Sequence, residues 1–218
     1  MATEPEFPTD PLTPGDLAWF EASVAELDRT RFRAGREVVE FEAPPGTPIV
    51  FLDIDDVLCL SRVVGVQDAA AAMYGNHPLP VDVFELLFHA PAVAALRCLH
   101  EQLQGKVRYV VTSAWRLRFS RAEFAHIMNC GGLDIVAAAL DVRDRWCTPS
   151  MPAAARLDEI TAWLLAHGAG ESFVVLDDVH SGGSLAGAGG VLEGRVVLCD
   201  EGVGLVPEHL EPLLRALM

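Results

Sequence analysis

Lysine is nearly absent from these 218 residues: Lys106 is the only one, and arginine supplies the rest of the sixteen basic side chains. Any buried anion that needs a covalently attached cation must therefore find an arginine. No apolar run approaches the ~18 residues that a bilayer-spanning helix requires, so no membrane partner is expected. The opening stretch "MATEPEFPTDPLTPGD" lacks a basic start and an apolar segment, so no secretory leader is expected and the expected compartment is cytoplasmic. The five cysteines (Cys59, Cys98, Cys130, Cys147, Cys199) are odd in number and form no C-x-x-C pair, which argues against a disulfide framework. The seven histidines show no H-E-x-x-H or comparable ligand spacing. A net charge of −15 argues against stable, salt-driven binding to bare nucleic acid.

What is present suits one α/β domain. Apolar residues make up 51% of the chain and charged residues 22%, enough for a substantial core. Residues 1–47 read as a tail followed by a packing helix, with Thr13 as N-cap, Pro14 at the first helical position, and Leu17, Phe20, Val24 and Leu27 on one stripe. Strands are predicted at 49–53, in "KVRYVVTSAWR", where the strand finishes in the hydroxyls of Thr112 and Ser113, at 172–178 and at 194–200. Between and after them, helices are predicted at 92–104, 121–132, 153–168 and 207–218, while "LDIVAAAL" (133–140) fits either a strand or a helix. "SGGSLAGAGG" (181–190) reads as a flexible glycine-rich loop. Alternating strands and helices predict a three-layer, doubly wound, mostly parallel sheet over 48–218, with a small insertion at about 59–91 after the first strand.

Three polar clusters end three of these strands: Asp53 and Asp55 in "FLDIDD", Thr112 and Ser113 in "VVTS", and Asp177 and Asp178 in "VVLDD". Alone, each would pass for turn or cap chemistry. In a parallel sheet, however, all three converge on the carboxyl edge, where ligands bind. Four carboxylates gathered there need a cation, and hard oxygen donors point to Mg²⁺, which commonly shares its coordination with a substrate phosphate.

"FLDIDDVL", "VVTSAWR" and "FVVLDD", in that order, resemble the first, second and fourth motifs of the haloacid dehalogenase-like (HAD) phosphohydrolase superfamily. "S-x-W-R" and the helix "R-x-x-E-I-x-x-W-L" further resemble the HAD domains of Swiss Army Knife RNA repair proteins. The resemblance implies that Asp53 is the nucleophile that forms an aspartyl-phosphate, and that Asp55 is the acid and then the base. It implies that Thr112 or Ser113 binds a phosphoryl oxygen, and that Asp53, the Asp55 backbone carbonyl and Asp177 or Asp178 hold Mg²⁺. The third motif is usually a lysine. Lys106 falls at the wrong end of its strand, so Arg156, at the start of the 153–168 helix, is expected in that role, with Arg143 and Arg145 as alternatives. Arg116 is expected to grip a substrate phosphate.

Asp56 departs from the family pattern, since many members carry glycine there; it either caps a turn or tunes the site. The short insertion implies an open site, suited to a phosphorylated small metabolite or a phosphorylated nucleic-acid end. Phosphoryl transfer on the same nucleophile is the nearest alternative. A non-catalytic interaction module is the alternative from another class.

Overall fold

Parallel strands covered on both faces read as largely apolar runs, and three of the four strands here are buried at every residue. The computed structural model describes residues 43–60, 64–75, 83–142, 145–168 and 170–218; the tail and helix expected over 1–32 lie outside them. The strands β1 (Ile49–Leu52), β2 (Arg108–Val111), β3 (Phe173–Asp178) and β4 (Val196–Cys199) are all parallel, in the order β2-β1-β3-β4. The described helices are α1 (Val66–Tyr74), α2 (Val83–Leu87), α3 (Ala90–Gln102), α4 (Arg121–Cys130), α5 (Asp134–Ala139), α6 (Arg156–His167) and α7 (Leu210–Leu217).

The two-residue period of a strand sorts the core into two layers. Val50, Leu52, Tyr109, Val111, Val174 and Leu176 join one cluster with Leu96 and Leu99 of α3, Phe124 and Met128 of α4, and Leu213 of α7. Ile49, Phe51, Val110, Phe173 and Val175 join another with Ile160 and Trp163 of α6. The Phe51 and Trp163 rings meet edge to face at 5.2 Å. Each such buried side chain contributes about 1.5–3 kcal/mol. Helices cover both faces of the sheet, which is the three-layer α/β arrangement expected.

Several local expectations are refined. β2 stops at Val111, and the chain then enters a 3₁₀ helix, Ala114–Leu117, in which the Ser113 hydroxyl oxygen accepts the Trp115 N–H at 3.4 Å. The strand therefore finishes at its hydroxyls, as expected, and Ser113 caps the turn that follows. The ambiguous 133–140 segment is α5 followed by Leu140, which forms one bridge to Tyr109 beside β2. The glycine-rich 181–190 stretch is anchored: Leu185, and Leu192 just beyond it, are buried in the α6 layer at the ends of two 3₁₀ turns.

The insertion also packs into the body. Ala69, Ala70, Leu87 and Phe88 belong to the larger core cluster, and the Tyr74 hydroxyl donates to Glu123 Oε1 at 2.9 Å. Where the insertion rejoins the body, the His89 N–H donates to the Leu58 carbonyl at 2.8 Å.

Candidate active site

Because the strands are parallel, their carboxyl ends share one edge. Asp53 follows β1 directly, and its backbone N–H bonds the Leu176 carbonyl of β3 at 2.9 Å. Asp177 and Asp178 are the last two residues of β3, so three carboxylates face one another across two adjacent strands. One oxygen from each of Asp53, Asp177 and Asp178 lies within 4.8 Å of the others, and all three residues are buried.

The cation among them is Arg156, the first residue of α6. Its Nη2 donates to Asp53 Oδ1 at 2.9 Å, its Nε lies 3.0 Å from Asp177 Oδ2, and its Nη1 bonds the Thr112 carbonyl. One planar guanidinium thus makes two hydrogen bonds and an ion pair, while its Nε and Asp177 Oδ2 remain without a hydrogen bond among the described residues.

One positive charge does not balance this cluster. Burial raises Asp53 well above the ordinary carboxylate range; Asp177 adds to the rise and Arg156 opposes it. Burial likewise pushes Asp177 up to about 6 against the opposing pull of Arg156 and Ser181. The donor set is all carboxylate oxygen and carries excess negative charge, so it fits a hard divalent cation such as Mg²⁺.

A turn after β3 fixes the acid pair. Asp178 Oδ1 accepts the N–H groups of His180 (2.6 Å) and Ser181 (3.0 Å), and the Ser181 hydroxyl bridges Asp177 and Asp178. Gly182 is required next: a Cβ there would stand 2.6 Å from the Asp178 carbonyl oxygen. Ser181 escaped the sequence reading because its "SGG" context signals only a loop.

Asp55 lies two residues beyond Asp53, with its side chain lining the same cavity of about 310 Å³. Its Oδ2 accepts the indole N–H of Trp115 at 3.0 Å. Burial raises the Asp55 carboxyl, and the Trp115 hydrogen bond holds it back. Asp56 turns the chain at φ +52° and accepts the Gly202 N–H at 3.0 Å. Its side chain thus ties the β1 loop to the loop after β4.

Ser113 lines the acid cavity, whereas the Thr112 hydroxyl is buried without a hydrogen-bond partner among the described residues. His180 also lines the cavity. Arg116 does not. Its guanidinium is 5% exposed, pairs with Glu159 of α6 at 2.7 Å, and donates to the Ser113 carbonyl at 2.7 Å and to the Thr112 carbonyl. In the structure Arg116 braces the turn after β2 against the buried carboxylate of α6. Arg145 is committed to Asp141 at 2.9 Å, and Arg143 lies outside the described residues.

The two short signatures "SAWR" and "RLDEITAWLL" therefore interlock. Arg116 of the first pairs with Glu159 of the second, and Trp163 of the second packs on β1.

Residues 49–210 match the family described as the HAD domain in Swiss Army Knife RNA repair proteins. No curated protein and no solved structure matches the chain.

Proposed function

Since the chain belongs to the family of HAD domains in Swiss Army Knife RNA repair proteins, we propose that it is a Mg²⁺-dependent phosphomonoesterase acting on a phosphorylated nucleic-acid end through Asp53. Its strongest support is the contact between Asp53 and Arg156 beside the buried acid pair. Arg156 holds Asp53 Oδ1, which directs the other oxygen toward phosphorus. As the Asp53 oxygen bonds to phosphorus, the bond to the leaving oxygen breaks, and the Asp55 carboxyl gives that oxygen its proton. Asp55, now ionised, takes a proton from water as the water oxygen attacks the aspartyl-phosphate. Inorganic phosphate leaves and Asp53 is restored. The Ser113 hydroxyl, which lines the cavity, would bond a phosphoryl oxygen. Mg²⁺, held by Asp53, Asp177 or Asp178 and the Asp55 backbone carbonyl, would offset the negative charge of the phosphoryl group against these acids.

Access and charge support the substrate class. Among the described residues, none from the insertion at about 59–91 lines the cavity, which favours a bulky phosphorylated end. The −15 net charge disfavours gripping a long polyanion, which suits recognition of a terminus.

The test is inorganic phosphate release from 3′- and 5′-phosphorylated RNA and DNA oligonucleotides, nucleotides and an aryl phosphate, with and without Mg²⁺. Wild type should release phosphate from an oligonucleotide end only with metal, and Asp53→Asn should reduce this by at least ~10³-fold. Release that is unchanged in Asp53→Asn would overturn the mechanism. Preference for small phosphates would overturn the substrate class alone.

A further inference from the structure

Trp115 is fully buried and packs against Phe119 with ring centroids 5.7 Å apart, so by position it is a core residue. Its one polar side-chain atom nevertheless points at the reaction: Nε1 donates to Asp55 Oδ2 at 3.0 Å. We infer that Trp115 is the positioning residue for the proton donor, holding the Asp55 carboxyl so that Oδ1 hands the proton to the leaving oxygen. This role rests on the proposed use of Asp55 as the acid.

An indole N–H is a donor only. The carbonyl oxygen of a protonated carboxyl accepts an N–H better than its hydroxyl oxygen does, so the bond to Oδ2 favours the hydrogen on Oδ1. The same bond sets the rotamer, and among the described residues it is the one hydrogen bond made by the Asp55 side chain. The Asp55 backbone is held by a bridge to Cys59, and the Asp56 N–H bonds the Cys59 carbonyl at 2.7 Å, but neither contact sets the direction of the Asp55 carboxyl.

Trp115 is better anchored. Its backbone N–H bonds the Ser113 hydroxyl at 3.4 Å, and its carbonyl accepts the N–H groups of Arg118 (2.9 Å) and Phe119 (3.0 Å). The neighbouring Arg116 is clamped to Glu159 of α6. The acid's carboxyl is thus referenced to an anchored turn, the arrangement that keeps reacting groups in register.

The test separates proton donation from general damage through the leaving group. kcat/KM reports formation of the aspartyl-phosphate, the step in which the leaving oxygen departs. An alkyl phosphate needs an acid in that step, whereas 4-nitrophenyl phosphate, with a stable leaving anion, needs little. General acids contribute about 10²–10⁴-fold. Trp115→Phe keeps a buried ring and removes the N–H; benzothienylalanine at 115 does the same with the full shape, should the Phe variant fold poorly. Both are expected to lower kcat/KM at least ~30-fold for the alkyl ester and less than ~3-fold for the aryl ester. In an Asp55→Asn background the same changes should add nothing further.

Equal losses on both esters, no loss on either, or an additive loss in the Asp55→Asn background would each overturn the positioning role while leaving the Asp53 chemistry standing. If wild type releases phosphate from no ester, both fail together.

Discussion

Asp56 occupies backbone that side chains avoid. At φ +52° a non-glycine residue gives up about 1–2 kcal/mol, and Asp is tolerated because its short carboxylate can bond locally or across a gap. Here it accepts the Gly202 N–H. Asp56→Gly should lose the bond and relieve the backbone, whereas Asp56→Ala loses the bond and keeps the strain. Urea unfolding is expected to place the Ala variant about 1–2 kcal/mol below the Gly variant; equal stabilities would mean that the dihedral costs nothing. The sequence announced the acid and hid its use, because the partner lies 146 residues away. Trp115 was hidden differently. Its core role was legible from its apolar neighbours, but nothing local says where an indole N–H will point. Asp53, Asp177 and Arg156 could be named in advance because strand ends and helix starts carry their position in the pattern.

At the scale of elements, α6 does two tasks. It places Arg156 among the acids, and one turn later it places Glu159 against Arg116 of the turn after β2. Both partners are largely buried, with side chains 5% and 11% exposed, so removing one strands the other's charge. Arg116→Met and Glu159→Met are each expected to cost about 3–5 kcal/mol, and the double variant less than the sum, because the buried charges leave together. A strictly additive cycle in urea denaturation would show that the pair is not coupled. β1, β3, β4, α3, α4, α6 and α7 were legible from period and stop signals. The end of β2 at its hydroxyls was legible too, but not the 3₁₀ turn that Ser113 caps, since "TSAWR" carries no turn residue such as Gly or Pro. The anchoring of the 181–190 glycines was not legible either, because the burial of Leu185 depends on a face of the sheet assembled from distant strands.

The sheet has a direction, with Asp53, Asp177 and Asp178 gathered at its carboxyl edge. Asp177 titrates at about 6 in the fold against an ordinary value near 3.8, and Asp53 is raised as well. Between those values the folded chain binds more protons than the unfolded one, so this contribution makes stability fall as pH rises through that window. Without metal, wild type should therefore lose stability from pH 4.5 to 6.5 relative to Asp177→Asn, whose slope is flatter. Added Mg²⁺ should raise Tm more at pH 7.5 than at pH 5, since protons compete for the same oxygens. Thermal melts in chelator and in Mg²⁺ check both, and a Mg²⁺ effect independent of pH would argue against binding at these carboxylates. The opposite edge has its own consequence. Lys106 is exposed just before β2, six residues and roughly 20 Å of extended chain from Thr112. As the sole lysine side chain, it offers amine-reactive chemistry one address on the body of the domain. A protein tethered to a surface or a dye through that address would present its acid cavity to solution, facing away from the point of attachment.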